Sequence, residues 1–153
     1  MQELNPLHST TWRLFLTAHT KLLDRLQDKL AAAALPPLEW YDVLLTLKEG
    51  PSCGLRLRDL ADRVLLSRSN LTRLIDRLEA AGLLRREQCP SDRRGLYAVL
   101  NQAGLEMQQQ MWAVYAEGIA EYFGNALSTE EAEGMHQALS RILTSLEARE
   151  PLK

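Results

Sequence analysis

Apolar residues recur every three or four positions along most of the chain, with one short interval where they alternate instead. Phe15, Ala18, Leu22, Leu26, Leu30 and Ala33 follow the helical period. Asn5 and Pro6 fit the cap and first position of that helix, and Pro36-Pro37 close it. Tyr41, Leu44, Leu45 and Lys48 place a second helix over about Leu38–Glu49, ended by Gly50-Pro51, and Ser52–Leu57 reads as a loop. Two short helices follow. Leu60, Ala61 and Val64 give the first, over Arg58–Val64, one apolar face. Ser67 caps the second, which runs to Ala81 with Leu71, Leu74, Ile75 and Leu78 inward and Gly82 as its left-handed terminator. Two helices so closely joined, the second lined with arginine and small polar side chains, make a helix-turn-helix pattern.

The period changes at Leu84. Leu84–Cys89 and Leu96–Leu100 are strand candidates around Pro90–Gly95, whose Pro, Ser, Asp and Gly form a turn-rich loop, so the segment predicts a β-hairpin with a charged tip. Asn101 then caps a third long helix through about Phe123, with Leu105, Trp112, Tyr115, Ile119 and Tyr122 on one side and Gly124 at its end. Ser128-Thr129-Glu130-Glu131 is a capping box for a last helix with Ala132, Met135, Leu139, Ile142, Leu143 and Leu146 inward. The first, third and last long helices carry more apolar stripe than a small helix-turn-helix and hairpin can cover. A second copy of the chain is expected to cover the rest.

Composition narrows the class. With 153 residues, 46% hydrophobic and 25% charged, the chain predicts one ordinary domain. Such a domain buries roughly 68–70% of its extended-chain surface without a disulfide or metal. Cys53 and Cys89 stand 36 residues apart with no Cys-x-x-Cys, and His8, His19 and His136 share no ligand spacing. Neither zinc, a disulfide framework nor a cofactor is predicted, and a reducing cytoplasm is. Cys53 reads as an incidental thiol, and Cys89 as either an incidental surface thiol or one made prone to oxidation by the nearby Arg85, Arg86 and Arg93. No apolar run approaches the ~20 residues of a membrane span, and Met1-Gln2-Glu3 lacks the basic stretch of a signal peptide. No nucleophilic triad or carboxylate pair is evident, and no room remains for an α/β domain with a Gly-rich loop. An enzyme is not expected.

Charge is unevenly spread. The net charge is −2, yet residues 56–94 hold ten arginines, no lysine and six acids, or +4, while the other residues carry eight bases against fourteen acids, or −6. A basic middle between acidic flanks marks one partner surface, and the planar guanidinium fork suits phosphate and guanine better than lysine's point charge. Opposite the buried stripe of the second short helix lie Ser69, Thr72, Arg73 and Asp76, flanked by Arg68, Asn70 and Arg77. Small polar groups there let a backbone approach DNA closely, and Arg73 can reach guanine O6 and N7 while Arg58 or Arg77 holds phosphate. Asp59, Asp62 and Asp76 are expected to orient neighbouring arginines. Trp12, His19, Trp40, Tyr41 and Asp42 concentrate where the first two helices should meet the helix-turn-helix and hairpin. They are a candidate crevice for a phenolic ligand, against the alternative that aromatics at helix contacts are core.

The order of Leu60-Ala61, Ser67–Arg73, Leu78-Glu79-Ala80-Ala81-Gly82-Leu83-Leu84 and Asp92-Arg93-Arg94 resembles that of MarR-family transcriptional regulators. The family often has Leu-Thr-x-x-Gly after the wing, where this chain has Leu100-Asn101-Gln102-Ala103-Gly104. The similarity spans nearly the whole chain. It implies a mainly α, winged helix-turn-helix fold with a small β-hairpin wing, flanked by long dimerisation helices. It further implies a single domain over 1–153, with dimerisation helices in 1–35 and 102–150 and the DNA-binding winged helix in 38–100. The implied function is that of a homodimeric regulator reading a palindromic double-stranded operator. In many members a small phenolic or aromatic anion, or an oxidant, releases DNA. The DNA-binding set is then Arg58, Ser67, Arg68, Ser69, Asn70, Thr72, Arg73, Arg77, Asp92, Arg93 and Arg94, with Asp92 steering Arg94 into the minor groove. A winged helix that binds protein instead of DNA is the alternative, and it would have no need of the arginine tip or the polar reading face.

Overall fold

The computed structural model describes residues 3–66, 68–89 and 91–150, with the side chains of residue 89 and residues 92–94 outside that description. Its elements are α1 (Pro6–Ala32), α2 (Leu38–Glu49), β1 (Leu55–Arg56), α3 (Leu57–Arg63), α4 (Leu71–Ala80), β2 (Leu84–Cys89), β3 (Asp92–Leu100), α5 (Gln102–Tyr122) and α6 (Thr129–Glu147). Among the described residues no helix is long and apolar enough to cross a membrane.

Local signals explain most boundaries. The Asn5 side chain accepts from Leu7 N at 2.8 Å, with Pro6 in the first turn, so α1 starts where a cap and a residue lacking N–H coincide. The helix stops before the prolines: Ala34 adopts φ 55° and Leu35 N donates to Leu30 O at 3.0 Å. That is a left-handed termination on a residue with a Cβ, which costs roughly 1–2 kcal/mol. Gly82 (φ +75°) ends α4 in the same way without that cost, and Leu83 N bonds Leu78 O at 3.0 Å. Ser128 and Glu131 form the reciprocal capping box that opens α6.

Other boundaries differ from the periodicity. The Ser52–Leu57 loop contains β1, whose Leu55 and Arg56 pair with Ala98 and Tyr97. Leu55 is buried and Gly54 (φ +90°) passes so close beneath Ala98 O that no Cβ fits there. The helix expected from Ser67 begins only at Leu71, after a 3-10 turn over Arg68–Asn70. Those three exposed polar residues have no apolar side chain to anchor a full α-turn to the core, whereas Leu71 has one. Ser67, expected to cap that helix, lies outside the described residues. β3 begins at Asp92, earlier than Leu96, because the backbone ladder continues past an irregularity at Gln88/Cys89 to a Cys89–Asp92 pair. Polar residues near a hairpin tip can extend a ladder through backbone bonds that leave no trace in side-chain alternation. Pro90 also lies outside the described residues. Asn101 precedes α5 but makes no side-chain cap. Its amide instead donates to Gly82 O (3.1 Å) and accepts from Arg85 (2.9 Å).

The antiparallel sheet has the order β1-β3-β2. Its inner face, with α2, α3 and α4, encloses a core built on Leu44, Leu60, Ile75, Leu78, Leu84 and Ala98. A second core joins α1, α2 and α5 through Leu30, Leu38, Tyr41 and Met111. α2 belongs to both, so it is the beam between the winged unit and the long helices. Lys29 ties α1 to α5 through Glu121 (2.7 Å) and Glu117 (3.5 Å). The last helix differs from its expected packing: no residue of α6 is buried in the single chain, and Ile142, Leu143 and Leu146 are each more than half exposed.

Gly104 fixes where α5 leaves the sheet. A Cβ there would lie 2.0 Å from Leu83 O and 2.7 Å from a Leu100 methyl carbon. The Leu83 carbonyl cannot retreat, since it also accepts from Asn101 N at 3.2 Å. Gly104→Ala should therefore destabilise the protein by about 1–3 kcal/mol, beyond any gain in helix propensity. Urea unfolding checks this: a midpoint at or above wild type would show that the contact relaxes freely.

Candidate nucleic-acid interface

The inward stripe Leu71, Leu74, Ile75 and Leu78 turns Thr72, Arg73, Asp76 and Arg77 of α4 to solvent. At the start of that helix a cleft of about 590 Å³ opens against α3. Its polar rim is Arg58, Arg68, Ser69, Asn70, Thr72 and Arg73, over a floor that includes Leu57 and Ala61. The structure thus brings six of the predicted contact residues together. Arg77 lies outside the cleft, exposed one turn further along α4. Ser67 and the side chains of Asp92, Arg93 and Arg94 are outside the described residues.

The arginines divide into two groups. Arg58, Arg68, Arg73 and Arg77 form no ion pair with any described acid. Arg85 and Arg86 are engaged internally. Arg85 bonds Glu87 (2.8 Å) and Asn101. Arg86, on β2, bonds Asp76 and Glu79 (3.3 Å) of α4, and its backbone N–H donates to Glu79 at 2.7 Å. Its buried Nε has no partner in the described structure. This clamp joins wing to reading helix and turns both carboxylates toward an internal cation. Asp76 orients an arginine as expected, whereas Asp59 and Asp62 form no ion pair among the described residues. Sequence reasoning missed the pairing of Glu79 with Arg86. The available signal was two acids three apart on one edge of a helix that turns back into a basic strand. Beside the wing, Arg56 Nε donates to Tyr97 Oη at 3.2 Å, with the guanidinium 5.9 Å from the ring centre.

Within the single chain, the five residues read as a phenolic crevice line no shared pocket. Trp12 is exposed on α1, 6.1 Å from the Phe15 ring. His19 borders a small apolar notch between α1 and α5. Trp40 packs on the winged-helix core and Tyr41 on the long-helix core. Asp42 is buried and accepts backbone N–H from Leu65 and Leu66. Adjacent positions on a helix face about 100° apart, so nearness in sequence scatters such side chains. What does assemble is a cluster of Tyr41, Trp112 and Tyr115, with ring centres 5.0–6.1 Å apart. Burial pushes both tyrosine hydroxyls above their ordinary pKa.

This geometry is that of a winged helix with a basic reading face. The sequence model of the MarR family matches residues 35–95. The structure is similar to that of AbsC, a MarR-family transcriptional regulator from Streptomyces coelicolor, with TM-score 0.83 and 32% identity over 97% of this chain and 100% of AbsC. Sco3205, a MarR-family regulator from the same organism solved in complex with DNA, gives TM-score 0.83 and 29% identity over 95% of this chain and 91% of its own. In sequence, the uncharacterized HTH-type transcriptional regulator YkoM of Bacillus subtilis is 36% identical over 97 residues, 63% of this chain and 60% of YkoM. The chain belongs to the MarR family, whose members are transcriptional regulators and not enzymes.

Proposed function

We propose that the protein is a homodimeric, sequence-specific DNA-binding regulator that reads a pseudo-palindromic operator. The observation that carries this reading is the cleft at the start of α4, rimmed by arginines that pair with no described acid. Residues 38–100 form the reading unit, and the helices in 1–35 and 102–150 form the dimer. Arg73 contacts a base, Arg58 and Arg77 hold phosphate, and Ser67, Arg68, Ser69, Asn70 and Thr72 bring the backbone close to the major groove. Asp92, Arg93 and Arg94 form a wing tip for the adjacent minor groove. That Sco3205 was solved in complex with DNA supports the DNA-binding part of this reading. A winged helix that binds protein is disfavoured by Arg58, Arg68, Arg73 and Arg77, which pair with no described acid and which a neutral partner surface would leave desolvated. The regulation is repression relieved by a small aromatic ligand. Its support is the Tyr41–Trp112–Tyr115 cluster at the joint between long helices and winged unit, where an inserted ring would compete for stacking.

Selection of bound sites from random duplexes, repeated with salicylate-like anions, tests this. Inverted half-sites about one helical turn apart, ~10–10.5 bp, are expected, with weaker retention when the anion is present. A bound pool with no enriched sequence overturns the function, and retention indifferent to every anion overturns the regulation. In the same assay Arg94→Ala should erase preference for A·T flanks and flatten the salt slope by roughly one ion per protomer. A wild-type flank ratio would show that the tip does not read groove shape.

A further inference from the structure

Asp42 ties α2 to the link that leads into the reading helix. Its residue is 8% exposed on α2, and Oδ2 accepts N–H from Leu65 at 2.9 Å and from Leu66 at 2.7 Å. Leu65 and Leu66 are the link between α3 and the 3-10 turn that presents Arg68, Ser69 and Asn70 to the cleft. Within the link itself Leu65 is 85% exposed and Leu66 rests on the long-helix core, while Val64 just before it is buried in the winged-helix core. The preceding Tyr41 sits against Tyr115 and Trp112 of α5. One turn of α2 therefore grips α5 with a ring and the link that leads into the reading helix with a carboxylate.

We propose that Asp42 is a positioning residue for DNA reading: through two backbone N–H groups it sets where the first residues of the reading helix stand relative to the long helices. It touches no DNA, and its role is registration of the link. A carboxylate on two adjacent amides fixes a backbone segment in direction as well as distance, which apolar contact at Leu66 does not. The proposal rests on the DNA-reading function above and names a residue that acts behind its contact surface.

The test compares three variants of the full chain on a selected site and on a random duplex. Asp42→Asn keeps an oxygen at the same reach, which can accept both amides. Asp42→Glu keeps the charge and the acceptors but adds one methylene, displacing the link. Asp42→Ala removes the tie. Positioning predicts that Glu and Ala lose about tenfold in affinity for the selected site while random-duplex affinity, set by charge, stays within about twofold. Asn should remain within about threefold of wild type on both. Amide hydrogen exchange at Leu65 and Leu66 should accelerate in Ala and stay slow in Asn. A role confined to stability predicts otherwise, since Glu would then keep the wild-type ratio of selected to random binding. That result, or an Asn variant as impaired as Ala, overturns the proposal. If Ala does not fold, the Glu and Asn pair decides alone. A wild-type chain that prefers no site would instead sink the DNA reading itself.

Discussion

Leu143→Glu is expected to convert the protein to a folded monomer and to abolish specific DNA binding. α6 buries no residue within its own chain, and Leu143 is 61% exposed beside Ile142 and Leu146. α1 adds Leu7, Trp12 and Leu14, each more than 60% exposed. Monomeric proteins rarely leave apolar stripes of that extent on two helices in water. Burying a leucine of this kind contributes about 1.5–3 kcal/mol, and placing a carboxylate in the same apolar site costs more still. In a two-fold interface the change occurs twice, so the dimer constant should weaken on the order of a thousandfold or more. Specific DNA affinity falls with it, because the second half-site is engaged at high effective concentration only while the protomers are joined. Sedimentation equilibrium with circular dichroism checks both halves. A wild-type chain that sediments as a folded monomer at micromolar concentration would rule out the dimer, and a dimeric Leu143→Glu would place the interface elsewhere.

Helix existence and most helix ends were legible in the sequence, because they depend on neighbours a few residues away. Asn5-Pro6, Gly82 and Ser128–Glu131 act within one turn of where they stand. β1 was not legible, since two residues are too few for a period and their strand partner lies more than 40 positions on, at Tyr97 and Ala98. The basic reading face could be seen as an arginine-rich helix surface. Its division into unpaired and clamped arginines could not, because Arg86 meets Asp76 and Glu79 only once β2 folds back along α4. Aromatic side chains gave the weakest guide. The helical period places Tyr41 on the inward side of α2 but does not say that Trp40 beside it packs on a different core, and only the path of α2 between the two cores separates them. Asp42 is the instructive case: the amides that it serves lie 23 and 24 residues downstream, beyond the reach of any local pattern.

Arg73→Ala should cost about 1–3 kcal/mol on the selected site and relax sequence preference at one position in each half-site. Arg73 stands in the first turn of α4, exposed at the cleft rim and unpaired with any described acid. Its guanidinium is therefore available at the end of the helix where short side chains, Ser69 and Thr72, permit close approach. Arg77 is one turn further along, beyond the cleft. Its removal should weaken selected and random duplexes alike and lower the salt slope by about one ion per protomer, since a phosphate contact carries charge and no sequence information. The two arginines thus make opposite predictions from the same assay, with each variant acting as the other's control for charge. If Arg73→Ala lowers both duplexes equally, its guanidinium holds phosphate, and sequence must be read by Asn70, Thr72 and the wing. If the ratio collapses for Arg73→Ala and survives in Arg77→Ala, base reading is localised to the first turn of α4, which follows the link that the Asp42 carboxylate holds.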